Sequence, residues 1–116
     1  MGIALITGGS GHVGANLVRE LSSRGYQVRC IDFDNDHRAF EGFDVELVKG
    51  NITNISTLDT AFKDVEVVFH TAAVISLDRK DKDLIRSVNV SGTENVCEMS
   101  LKHGVKKLIH FSSVDA

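Results

Sequence analysis

A parallel sheet wound with helices on both faces is the fold this sequence predicts, and three observations predict it. The chain opens on an apolar strand that runs into a glycine-rich turn and then a helix. Short apolar strands and amphipathic helices alternate from there onward. A carboxylate, Asp32, closes the second strand 18 residues after Gly14, the last glycine of the turn.

The first strand is Ile3-Ala4-Leu5-Ile6, followed by Thr7 and the turn Gly8-Gly9-Ser10-Gly11-His12-Val13-Gly14. The turn fits two templates, Gly9-x-Gly11-x-x-Gly14 and Gly8-x-x-Gly11-x-x-Gly14. Glycine allows positive φ and lets a ligand approach backbone without meeting a Cβ. The free N–H groups and dipole of the helix that follows suit a pyrophosphate. Leu17, Val18 and Leu21 recur at helical spacing, so this helix should run from about His12 to Arg24 and stop before Gly25. Strand two covers Gln27 to Ile31. Asp32 then stands near the place, about 20 residues on, where a carboxylate holds the adenosine ribose of a dinucleotide.

Phe33 to Asp44 is a polar, charged loop, most simply a solvated face; Arg38 within it offers a second reading, contact with adenine or a 2′-phosphate. Val45 to Lys49 alternates as strand three and stops at Gly50. Asn54 to Phe62 forms a short helix with Leu58, Ala61 and Phe62 on one face. Val65 to His70 is strand four, leading into the small residues Thr71, Ala72 and Ala73. A long helix is predicted from Asp81 to His103, its period carried by Leu84, Ile85, Val88, Val96 and Leu101, with Gly104 ending it. Lys107 to Phe111 is strand five.

Alternation of this kind gives a parallel sheet with right-handed crossovers, here in the order 3-2-1-4-5. This is a doubly wound, Rossmann-type α/β domain spanning residues 1–116. Its ligand crevice lies at the carboxyl ends of strands one and four, where the order reverses.

Composition narrows the class. Hydrophobic residues make up 42% and charged residues 25% of the chain, with a formal charge of −3. The negative balance and the lack of a Lys/Arg cluster argue against nucleic acid. No apolar run approaches the ~18 residues of a membrane span, and no secretory signal opens the chain. A cytoplasmic protein is expected. Cys30 and Cys97 have no metal-ligand spacing and read as two reduced core thiols.

Several stretches at strand ends bear on chemistry. Asn51 and Ile52 would meet adenine, or else form a turn Asn and a core Ile. His70 falls at the last position of its strand and is expected to pack or bond locally. Asn89 and Gly92 are both poor helix formers: Asn89 would bond backbone across the sheet or mark a kink, and Gly92 would permit close packing. Ser112 and Ser113 would bond a substrate oxygen or cap a turn. A methyltransferase uses a similar glycine turn, but the second glycine and the Ser-Ser pair fit a dehydrogenase better.

Taken together, these motifs resemble the extended short-chain dehydrogenase/reductases. Thr7-Gly8-x-x-Gly11-x-x-Gly14, Asp32, Gly50-Asn51-Ile52, His70-Thr71-Ala72-Ala73, Asn89-Val90-x-Gly92-Thr93 and Phe111-Ser112-Ser113 occur in that group's order and spacing. The group includes sugar-nucleotide epimerases and dehydratases, dihydroflavonol reductases and 3β-hydroxysteroid dehydrogenases.

The resemblance implies that Gly8, Gly11, His12, Val13 and Gly14 wrap a pyrophosphate. It implies that Asp32 holds the ribose and favours NAD over NADP. Asn51 and Ile52 would contact adenine, although the family usually has Asp where Asn51 stands. Thr71, Ala72 and Ala73 would line the path to the nicotinamide ribose, Asn89 would be the structural Asn, and Ser113 the catalytic serine. The family's Tyr-x-x-x-Lys pair is missing, and the only tyrosine is Tyr26. The expectation is therefore a C-terminally truncated cofactor-binding piece of an oxidoreductase, epimerase or dehydratase, binding the adenosine half of the cofactor weakly and inactive alone. The rival expectation is a non-catalytic NAD(P)-sensing or protein-interaction module. Truncation would bare the apolar edge of strand five, so self-association through that edge or the helix 81–103 is expected.

Overall fold

The computed structural model of the 116-residue chain describes residues 2–7, 12–32, 45–70 and 82–110. Five parallel strands form one sheet: β1 (Ile3–Thr7), β2 (Gln27–Asp32), β3 (Val45–Lys49), β4 (Val65–His70) and β5 (Lys107–His110). Their order is β3-β2-β1-β4-β5, as the sequence predicts. Among the described residues the helices are α1 (His12–Ser23), α2 (Ile55–Ala61) and α3 (Lys82–Lys102).

Because strand side chains alternate between faces, the sheet carries two cores. On one face Leu5, Ile31 and Val68 pack with Leu58, Ala61 and Phe62 of α2 and with Val96 and Met99 of α3. On the other, Ala4, Ile6, Val28, Cys30 and Val67 pack with Val18 and Leu21 of α1. A register shift lets β4 keep both faces filled: Ile3 pairs with Val65 but Ala4 with Val67, leaving Glu66 as the extra residue.

Turn chemistry sets the element ends. Gly25 and Gly104 follow α1 and α3 with φ of +88° and +66°, the left-handed conformation that closes a helix at little cost for glycine. Asn54 caps α2, its side chain accepting from the Ser56 N–H at 3.2 Å. At the other end of α2, Arg29 Nη1 donates to the carbonyls of Ala61 and Lys63, both at 2.7 Å. A cation on those carbonyls offsets the helix's negative end and ties α2 to β2.

Two expectations for α3 need correction. Leu101 is 84% exposed, and Cys97 is exposed as well, so only Cys30 is a core thiol. The buried line of α3 is Gly92, Val96, Met99 and Ser100, spaced at helical period. Val90, Glu94, Cys97 and Leu101 repeat at the same period on the outward face. The apolar letters of α3 thus divide between two faces, and position alone decides which are buried.

Candidate functional site

The fold brings four sequence-predicted positions to one edge of the sheet. Thr7, Asp32 and His70 are the last residues of β1, β2 and β4, and Asn51 lies two residues beyond the end of β3. Ligands of open α/β sheets bind outside the carboxyl ends of the strands at the switch of strand order. Here that switch falls between β2 and β4, on either side of β1. Helix α1 begins at His12, five residues beyond the end of β1, with Val13 and Gly14 in its first turn. Gly8, Gly11, Thr71, Ala72, Ala73 and Ser113 lie outside the described residues, as do Arg38 and its loop. Asn89 lies within α3.

The centre of this edge is a buried histidine. His70 Nδ1 lies 2.7 Å from Thr7 Oγ1, and its Nε2 lies 3.1 Å from Thr93 Oγ1 on α3. Thr7 is its register partner on β1, and His110 its register partner on β5. The His110 ring lies beside it, 5.1 Å between centroids. His70 is 3% exposed. Burial, and secondarily the neighbouring His110, push its pKa down to about 4. The ring is neutral at pH 7, and a neutral ring offers one donor and one acceptor. Two threonine hydroxyls, each able to serve either role, satisfy both nitrogens. The expected local bonding is what the structure shows: His70 ties β1, β4 and α3 together under the edge.

The turn after β3 is held from two sides. The hydroxyl of Thr57 on α2 accepts from the Asn51 N–H at 3.1 Å and lies 3.0 Å from the Asn51 carbonyl. Asn95 on α3 donates from Nδ2 to the Ile52 carbonyl at 2.9 Å. Ile52 is 7% exposed and belongs to the α2–α3 core. It rests directly on Gly92, where a Cβ would stand 2.7 Å from Ile52 Cγ1. Close packing at Gly92 is therefore borne out, and its partner is Ile52. Ile52 thus sits in the core and Asn51 in a turn. The Asn51 Oδ1 accepts from the Thr53 N–H at 3.0 Å and from the Thr53 hydroxyl at 2.8 Å.

Sequence reasoning missed Asn95 and the role of Thr93. Thr93 stood in the Asn89-Val90-x-Gly92-Thr93 motif without a role of its own, and Asn95 was simply a mid-helix Asn three residues after Gly92. Among the described residues, no group of three or more His, Cys, Asp or Glu side chains could hold a metal ion. No described helix is long and apolar enough to cross a membrane.

The residues that end at this edge are of the kinds that suit a dinucleotide. The edge supplies a helix N-terminus after β1, a carboxylate residue ending β2 and a clamped polar turn after β3, in the spatial order of the strands.

Comparison with known proteins agrees. The chain is 38% identical over 113 residues to sterol demethylase protein B of Methylococcus capsulatus, covering 97% of this chain and 34% of that protein. It is 38% identical over 120 residues to the 3 beta-hydroxysteroid dehydrogenase/Delta 5-->4-isomerase of Mycobacterium tuberculosis, covering 97% and 32%. Among solved structures it superimposes on Bordetella bronchiseptica WbmG in complex with NAD with a TM-score of 0.86 at 29% identity, covering 97% and 38%. The chain thus spans about a third of the length of the relatives it matches. Residues 5–116 match the 3-beta hydroxysteroid dehydrogenase/isomerase family. With nearly its whole length matched, the chain belongs to that family, among the extended short-chain dehydrogenase/reductases.

Proposed function

We propose that this chain is the NAD-binding part of an oxidoreductase or epimerase that acts on a hydroxyl-bearing carbon. The observation that carries the proposal is the alignment of Thr7, Asp32, Asn51 and His70 along the carboxyl edge of a 3-2-1-4-5 sheet. WbmG, a neighbour of the same fold, is solved with NAD bound.

In this reading Gly8, Gly11, His12, Val13 and Gly14 surround the pyrophosphate at the start of α1. Asp32 accepts from the ribose hydroxyls and repels a 2′-phosphate, so NAD is preferred to NADP. Thr71, Ala72 and Ala73, with small side chains, admit the nicotinamide half, and Asn89 supports the same region from α3. NAD, when bound, supplies the hydride acceptor. Ser113 orients the reacting oxygen by a hydrogen bond. His70, neutral and bonded at both nitrogens, holds the edge together and moves no proton. The 116 residues contain no Tyr-x-x-x-Lys sequence, so the isolated chain binds NAD without turning over a substrate.

Exposed Val90 and Leu101 on the outward face of α3 support self-association through that helix. The test of the main proposal is a thermal-shift titration with NAD and with NADP. A ligand that binds only the folded state raises the melting temperature. The expected result is a rise with NAD, a smaller one with NADP, and loss of that preference in Asp32→Ala. No rise with either dinucleotide would overturn the proposal.

A further inference from the structure

Among the described residues the polar partners of buried His70 include no anion. Its nitrogens meet the hydroxyls of Thr7 and Thr93, and its ring lies beside that of His110. The charges that could balance a proton on the ring stand elsewhere. β1 carries none. On β4 the one carboxylate, Glu66, sits near the far end and accepts from the Gly2 N–H at 3.0 Å. On α3 the described carboxylates, Glu94 and Glu98, are exposed and do not bond the ring. β5 brings Lys107 at its start and the exposed His110 at its end, and a proton on His110 repels one on His70. Both hydroxyls could accept from a charged ring, but two neutral oxygens do not replace the water it has lost. Protonated in place, His70 is a buried charge without a counter-charge.

A way out lies close by. His70 is the last residue of β4, so rotation of its side chain brings the ring to water without parting the strands. On the same face Leu5, Phe62, Val68 and Val96 are fully buried. They keep α2 and α3 on the sheet whether the ring is in or out. What the rotation breaks is the pair of bonds that fastens α3, through Thr93, to the ends of β1 and β4.

We infer that His70 is a proton-operated latch: the neutral ring fastens α3 to the carboxyl ends of β1 and β4, and the protonated ring turns out into water and releases them while both cores stay folded. The latch sits at the edge to which the proposed function assigns its ligand, but the inference does not rest on that reading, since its test needs no ligand. The closed ring titrates at about 4 and a freed ring near 6.5, so the latch is shut above pH 6.5 and opens as pH falls between those values. The easier the opening, the nearer its midpoint lies to 6.5.

The experiment is an NMR titration of the 116-residue chain from about pH 7.5 to 4.5, following the histidine rings and the backbone amides together. The His70 ring should be neutral at the start and take its proton in one step on the way down. The amides of Thr7, Gly92 and Thr93 should shift in that same step. Hydrogen exchange, corrected for intrinsic rate, should show Gly92 and Thr93 losing about tenfold in protection while Leu5, Phe62 and Val68 keep theirs. His70→Gln, which takes no proton, should abolish the step. Thr93→Val removes one catch and should raise the midpoint by about 0.5 pH unit or more, a threefold gain in proton affinity. His110→Asn removes the opposing charge and should also raise the midpoint, which separates the step from titration of His110 itself. Loss of protection at Leu5, Phe62 and Val68 in the same step would mean unfolding of the whole domain and would overturn the inference. So would a ring that stays neutral to the acid end, or one that titrates with Gly92 and Thr93 unmoved. A step that survives in His70→Gln, or a midpoint unmoved by both other variants, would overturn it as well.

Discussion

The two faces of the sheet are built from the same five strands, yet they do different work. The face under α2 and α3 contains the largest fully buried side chain, Phe62, and the described hydrogen bonds of His70, Thr93 and Asn95 near the carboxyl edge. His70, Thr93, Asn95, Gly92 and Ile52 all belong to it. The face under α1 is closed by Val18 and Leu21, while Leu17, Tyr26, Leu47, Phe69 and Ile109 pack there only partly buried. On the first face the core is tied directly to the Asn51 turn and His70; on the second, the described buried side chains are core, beneath the helix whose start faces the edge. Substitutions should therefore separate stability from binding according to the face they strike.

The largest effect is expected from Phe62→Ala. It empties a fully buried aromatic site between α2 and the sheet and should cost about 4 kcal/mol in urea unfolding. Leu21→Ala, its counterpart on the α1 face, should cost about 3 kcal/mol. The sharper difference is in function: Phe62→Ala should weaken NAD binding at a temperature where both variants remain folded, because α2 also holds the Asn51 turn through Thr57. Leu21→Ala should leave binding near wild type. Equal losses of affinity would break the distinction between the faces.

His70 gives that face a pH dependence. Its folded pKa of about 4 lies below its ordinary value of 6.5. Between those two values the unfolded chain binds a proton that the folded chain refuses. Stability contributed by neutral His70 is therefore complete above pH 6.5 and is lost as pH falls toward 4. The loss amounts to up to roughly 3 kcal/mol over the whole window. Unfolding measured at pH 7 and pH 5 should show a drop in wild type that is smaller in His70→Gln.

Gly92→Ala sets two terms against each other. Alanine favours the helix by about 1 kcal/mol, but its Cβ would stand 2.7 Å from Ile52 Cγ1, and overpacking costs about 1–3 kcal/mol. A net loss of about 1 kcal/mol is expected, with a larger proportional loss of NAD affinity as the turn moves. The smallest effect belongs to Asp59, which bonds Lys102 at 2.9 Å and His103 at 2.8 Å at the surface. Lys102, with His103, holds its carboxyl below the usual value. The contribution is present above the ordinary carboxylate range and fades as pH falls through the lowered value. Asp59→Asn should change the melting temperature slightly, and less at high salt.

Much of this was legible in the sequence, for reasons that differ by element. Strands β1 to β4 could be read because each is a short apolar or alternating segment that stops at Gly, Asp or His. Gly25 and Gly104 marked helix ends because a left-handed position has few other solutions. Leu101 and Cys97 were misplaced because α3 has apolar residues on both sides, and which side meets the sheet is a tertiary fact. Asn51 was visible as a candidate, but the bonds that hold its turn were not. They depend on Thr53 and on Asn95, 44 residues away, and no local pattern joins a mid-helix Asn to a turn carbonyl. The same holds for Thr93 under His70.

The central claim is that the carboxyl edge of the sheet is where NAD binds, and amide chemical-shift mapping tests it most directly. On addition of NAD, the predicted result is a set of saturable shifts at Thr7, His12 to Gly14, Asp32 and Asn51 to Thr53. The amides of Gly2, Gly25 and Gly104, at the opposite edge of the sheet, should stay in place. Shifts centred on that opposite edge, or none anywhere at saturating NAD, would contradict the account.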